Sequence, residues 1–223
     1  MAAVPSGAAA DRHAWHETWR EFDVDPLVAE SAVWPELERY TRLQDLAETA
    51  AVYGTYINTG GGPDYSIGLF QMKPSFVEEL EKAWKRSGLA RKYELWFDTD
   101  ATPTARRIRI TRMMKEEWQV IYVGMFLRLL YYSYNLDTLP TEDQVRLAAA
   151  AYNRGCPWPA AGCGDPDRLR IAAAEKTFHY KLIPTRRTRR YCYATLAWKH
   201  YKSIFTQKGG VFQVQQPELC DVK

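Results

Sequence analysis

Residues 66–75 read Ser66-Ile67-Gly68-Leu69-Phe70-Gln71-Met72-Lys73-Pro74-Ser75 and follow the glycine cluster Gly60-Gly61-Gly62-Pro63. Ser75 precedes Glu78 by three residues, the spacing of a capping box, and Phe76 opens an apolar run. The stretch therefore predicts a loop or short extended piece feeding a helix N-terminus. Gly68 permits close backbone approach, and Gln71 offers both a donor and an acceptor. A loop held between rigid elements is a common place for a binding site.

Helical periodicity surrounds this stretch on both sides. Upstream, Trp15, Trp19 and Phe22 share one face of a short helix. Pro35 suits the first turn of a long helix running to about Tyr56. Leu43, Leu46, Ala50, Tyr53 and Ile57 form its buried stripe, and Glu48 falls nearly opposite, on a face with few charges. Downstream, Phe76, Leu80, Ala83 and Trp84 mark a helix that Gly88 can terminate at C′. A basic segment from about Thr104 leads into a long apolar helix, Trp118 to Tyr134. Arg128 interrupts that run, which is already too short to cross a bilayer, so it reads as a core helix. Thr141 and Gln144 make a second capping box for a helix ending at Asn153-Arg154-Gly155. Leu169 to Tyr180 and a stretch from about Thr188 to Phe205 read as two more helices. Period-2 alternation is nearly absent, so the fold class is mainly α. Residues 1–12 are expected to be a disordered tail, 13–205 one domain, and 206–223 a surface tail.

Composition narrows the function. The chain has 223 residues, enough for a real core, and a formal net charge of only +3. That charge does not imply nucleic acid, and no nucleic-acid motif is present. It is compatible with weak attraction to an acidic polymer. The 8 Trp and 14 Tyr supply core and also the aromatic platforms that carbohydrate clefts use. Cys156, Cys163, Cys192 and Cys220 lack C-x-x-C spacing, which argues against zinc or a thioredoxin-type motif. They allow two disulfides in three connectivities, and Cys156–Cys163 would close a short loop; four reduced thiols are the alternative. Met1 to Ala10 has neither a basic n-region nor a long apolar run, so no leader is read there. The four arginines of Thr185 to Arg190 form a solvated helix start or a contact for an anionic surface.

The stretch 66–75 resembles the G-L-M-Q signature of the lysozyme-like superfamily, in the branch of soluble lytic transglycosylases and goose-type lysozymes. Two further blocks match in order. Glu48-Thr49 resembles the family's Glu-Ser at a helix end, and Ala150-Ala151-Tyr152-Asn153-Arg154-Gly155 resembles A-Y-N-A-G. The blocks cover residues 43 to 155, about half the chain. The resemblance implies a lysozyme-like helical domain that cuts peptidoglycan between N-acetylmuramic acid and N-acetylglucosamine, without metal or organic cofactor. Location in the periplasm or cell envelope follows from that substrate.

Cleavage needs a carboxylic acid kept protonated near neutral pH. Glu48 is the expected general acid, with Ala51, Val52 and Asp45 as neighbours that would raise its pKa. The resemblance places Tyr152 beside it, able to orient the acid or the leaving oxygen. Ser66, Gly68, Gln71 and Asn153 are the expected sugar contacts. Asp64 is either a turn aspartate or an activator of water. A single clear acid is similar to lytic transglycosylases, whose product closes on itself as a 1,6-anhydro sugar. Glu30-Ser31 spells the family's dipeptide literally but lies too far upstream of Gly68. Thr49, Phe70 and Arg154 depart from the family pattern. They keep open a second reading, a non-catalytic glycan-binding or scaffold protein.

Overall fold

The computed structural model describes residues 8–39, 55–61, 64–160, 162–169, 177–179 and 190–209. The architecture is mainly α. Helix α1 spans Ala8–Glu21 and α2 Pro26–Arg39; α3 spans Pro74–Ser87 and is followed by the single turn α4, Leu89–Lys92. Next come α5, Pro103–Met113, α6, Glu116–Tyr134, and α7, Thr141–Arg154. A short antiparallel pair, β1 (Thr177–His179) and β2 (Arg190–Cys192), precedes α8, Tyr193–Gln207. Its register sets Thr177 opposite Cys192 and Phe178 opposite Tyr191.

Helix α6 is the axis of the core. Tyr122, Val123, Met125, Phe126, Leu127 and Leu130 are all fully buried along it. A helix apolar on every side is stable only when other elements cover it all round. Helix α1 lies on its first half, where Trp19 Nε1 donates to the Val120 carbonyl at 3.0 Å and Trp15 Nε1 to Glu116 Oε1 at 2.9 Å. Helices α2, α7 and α8 pack on one another as a second layer. Among the described residues no helix is long and apolar enough to cross a membrane.

Several local expectations change. Helix α2 starts at Pro26, not Pro35. Asp25 Oδ1 accepts from the Leu27 amide at 2.8 Å, an N-cap followed by proline at the first helical position. Pro35 therefore sits inside the helix. The expected continuation through residues 40–54, with Glu48 and Thr49, lies outside the described residues. Neither capping box forms: the N-caps of α3 and α7 are Lys73 and Pro140, without side-chain bonds. Gln144 instead accepts from Tyr131 Oη at 2.6 Å and donates to the Leu139 carbonyl at 2.7 Å. The basic segment forms its own helix α5, capped by Thr102 Oγ1 on the Ala105 amide, and a break at Met114 and Lys115 separates it from α6. The tail before residue 13 is helical from Ala8. The expected helix over 169–180 does not run to its expected end: residues 166–169 are helical, 170–176 lie outside the described residues, and 177–179 form strand β1; α8 begins at Tyr193 after β2 rather than near Thr188. Strand pairing across ten or more intervening residues leaves no helical period to read. Cys156 and Cys163 carry free thiols, so the short loop between them is not closed by a disulfide; Cys220 lies outside the described residues. Gly88 ends α3 as expected, with φ 78°.

Glu30 is not a catalytic candidate. It is buried in the second layer, where its two oxygens meet His16 Nε2 at 2.7 Å and His200 Nε2 at 3.0 Å, with Arg12 Nε at 3.8 Å. Burial alone would raise its pKa. The hydrogen bonds from His16 and His200, backed by the charges of His200 and Arg12, outweigh burial and hold the carboxyl at about 2. A depressed carboxylate contributes stability above its unfolded pKa and loses it as pH falls toward the folded value. Glu30 thus supplies about 3 kcal/mol that disappears between roughly pH 4.5 and 2. Chemical denaturation of Glu30→Gln should show that deficit at neutral pH and a flatter acid limb than the wild type.

Candidate functional site

The stretch 66–75 folds as a hairpin. Ile67 and Met72 form an isolated bridge: the Ile67 amide donates to the Met72 carbonyl at 2.7 Å, and the return bond is 3.1 Å. Gly68 and Gln71 flank the turn with φ of 75° and 52°. Gln71 closes it twice, through its backbone amide and its Nε2, both onto the Gly68 carbonyl at 3.0 and 2.8 Å. Buried Gln119 of α6 supports the turn from below. Its Oε1 accepts from the Phe70 amide at 2.9 Å while its Nε2 donates to the Met113 carbonyl at 2.7 Å. A Cβ on Gly68 would stand 1.6 Å from Gln119 Nε2. Phe70 is fully buried, its ring 5.2 Å from that of Trp15.

The hairpin forms one wall of a cleft of about 750 Å³. The end of α7 and the loop 155–158 form the other wall, and the end of α2 opens into it with Glu36. The loop is strapped to the end of α6. Tyr134 Oη donates to the Pro157 carbonyl at 2.9 Å, Ser133 Oγ to the Pro159 carbonyl at 3.2 Å, and the Gly162 amide to the Tyr132 carbonyl at 3.0 Å. Trp158 stands edge-on to Phe126 at 5.8 Å between ring centres. Both walls are thus anchored to the core helix.

Of the expected site residues, Asp64, Ser66, Gln71, Tyr152 and Asn153 line this cleft. Gly68 does not: it is buried against Gln119 and serves the turn. Tyr152 joins the two walls. Its Oη donates to the Phe70 carbonyl at 2.8 Å, and its ring meets Phe76 and Phe126 edge-on at 5.7 and 5.3 Å. Burial, reinforced by the nearby Glu36 carboxylate, keeps the phenol protonated by raising its pKa well above the ordinary value. It is a positioning residue. Tyr152→Phe should cost about 1–3 kcal/mol in thermal unfolding, because it leaves the carbonyl of buried Phe70 without its donor.

Asp64 has a structural task. Its Oδ1 accepts from the Ser75 amide at 3.1 Å and its Oδ2 from Ser75 Oγ at 2.6 Å. A carboxylate at the first turn of α3 answers the unpaired amides and the positive end of the helix dipole. Glu79, on the same rim, pairs with Lys82 at 3.0 Å. Cys156 also faces the cleft, but burial pushes its thiol up to about 12, so it is no thiolate nucleophile. Among the described residues no group of three or more His, Cys, Asp or Glu is placed to hold a metal.

Glu36 carries no motif in the sequence. It lies in the last turns of α2, six residues after Glu30, a rotation of about 240° that turns it away from the histidine cluster. The usable signal is Asp25-Pro26: an N-cap and a first-position proline begin the helix there and leave Glu36 near its C-terminal end. Glu48 lies outside the described residues. No protein-family model, curated protein or solved structure matches the chain.

Proposed function

We propose that the protein is a peptidoglycan-cleaving glycosidase of lysozyme-like fold, of the lytic transglycosylase type, and that Glu36 is its general acid. The observation that carries this reading is the convergence of Glu36 with Ser66, Gln71, Tyr152 and Asn153 on one cleft. The motif residues come from two separated blocks that resemble the lysozyme-like pattern. The carboxylate beside them, Glu36, stands in the last turns of α2 and lacks the Glu-Ser dipeptide of that pattern.

The chemistry needs one carboxyl group used twice. Glu36 in its acid form gives its proton to the glycosidic oxygen as the bond from C1 of N-acetylmuramic acid breaks. The resulting carboxylate faces the positive charge that develops at the sugar ring. It then takes the proton of the sugar's own C6 hydroxyl as that oxygen bonds to C1. One C–O bond breaks, one forms, and the acid is regenerated. Hydrolysis would need a second carboxylate to activate water. Asp64 and Glu79, the other acids that line the cleft among the described residues, are committed to Ser75 and to Lys82, which favours the anhydro product. The substrate places the protein in the cell envelope.

Mass spectrometry of purified peptidoglycan after incubation tests the reading. Anhydro-muropeptides are expected. Reducing-end products would make the protein a lysozyme instead. Sedimentation with the wall but no products would favour a glycan-binding scaffold.

A further inference from the structure

Ile67 pairs with Met72 in the isolated bridge that closes the hairpin. Beyond it α3 begins at Pro74, and the Asp64 carboxylate caps that helix through Ser75. One step out from the bridge, Ser66 lies opposite Lys73, whose backbone is extended at φ −90°, ψ 142°. Residues directly opposite on antiparallel arms project to the same face. Ile67 and Met72 are buried, whereas Ser66 is half-buried and Lys73 exposed, and both line the cleft.

Lys82, Lys85, Lys92 and Lys115 each hold a side-chain partner on the protein. The Lys73 side chain makes no ion pair or hydrogen bond among the described residues, and its backbone is fixed on both sides. Met72 is held in the bridge, and the Lys73 carbonyl accepts the Val77 amide at 3.1 Å. An ammonium and a hydroxyl side by side on a rigid stage make a two-donor site for a planar anion.

We infer that Ser66 and Lys73 form a carboxylate-reading subsite, which makes the cleft select an amino sugar bearing an acidic substituent over a neutral one. The inference rests on the glycosidase reading, because it supplies that cleft with its substrate's anionic group. The subsite lies on the hairpin, apart from the acid on α2, so it governs binding rather than bond cleavage.

The test is equilibrium binding by calorimetry in the Glu36→Gln background, which prevents turnover. The ligands are chitotetraose and a tetrasaccharide of alternating N-acetylglucosamine and N-acetylmuramic acid with free lactyl carboxylates. Adding Lys73→Met should weaken the acidic ligand about fivefold, the scale of one exposed ion pair, and leave chitotetraose unchanged. Lys73→Arg should restore most of the loss, and added salt should shrink the preference. Equal weakening of both ligands, or of neither, would overturn the subsite while leaving the glycosidase reading intact. Binding of neither ligand by Glu36→Gln, together with no muropeptide products from the wild type, would overturn both.

Discussion

Glu36→Gln should abolish release of muropeptides while leaving the thermal midpoint close to that of the wild type. The amide keeps the shape of the side chain but cannot give up a proton to a leaving oxygen. General acid catalysis by a placed carboxyl is worth about 10²–10⁴-fold in rate, and here the same group acts in both halves of the reaction. Glu36 lies at the cleft rim rather than in the core, so its replacement leaves packing intact. Glu48→Gln, assayed in parallel, is expected to retain activity. The opposite pair of results would return the role of acid to Glu48. Loss in neither variant would take the chemistry out of both helices.

Gly68→Ala should destabilise the fold by about 4 kcal/mol. Three costs combine. A methyl group at Gly68 would stand 1.6 Å from Gln119 Nε2, so the glutamine side chain must leave. Its departure leaves the Phe70 amide and the Met113 carbonyl unpaired in a buried site, at about 1–3 kcal/mol each. Alanine at φ 75° adds roughly 1 kcal/mol of backbone strain. Denaturant unfolding measures the total. The double variant Gly68→Ala with Gln119→Ala should recover part of the steric cost but not the hydrogen bonds. Activity should fall along with stability, because Phe70 is also the residue whose carbonyl Tyr152 grips at 2.8 Å. A Gly68→Ala protein as stable as the wild type would mean that Gln119 does not support the turn.

Much of the helical framework is legible in the sequence because its causes are local. An apolar run from Trp118 to Tyr134 with one interrupting arginine can only be a covered helix. Gly88 ends α3 because the left-handed conformation it adopts is costly for any residue with a Cβ. The order of the hairpin stretch and the Tyr152-Asn153 block also reads directly, and the fold brings those blocks to one cleft. Local signals compete, however. Ser75 and Thr141 have capping-box spacing, yet their helices are entered through proline and take no cap from them. At α3 the cap is supplied by Asp64, eleven residues earlier. Pro35 looked like a start, but Asp25 supplies a cap that Pro35 lacks, and the apolar face of α2 against α7 and α8 carries the helix through the proline.

The amino-acid sequence by itself determined that the chain is mainly helical, that α6 is its core, and that residues 66–75 enter a helix beside a tight glycine turn. These follow from interactions within four residues or from solvent exclusion along one face. Tertiary structure alone decided that Gln119 lies under Gly68, 49 residues away from Phe70 in sequence, and that Tyr152 reaches Phe70 across 82. It likewise assigned Glu30 to a buried pair of histidines and turned Glu36 to the cleft. Such partners are chosen by how whole helices pack, and a side chain's distance to a residue on another helix leaves no period in the sequence.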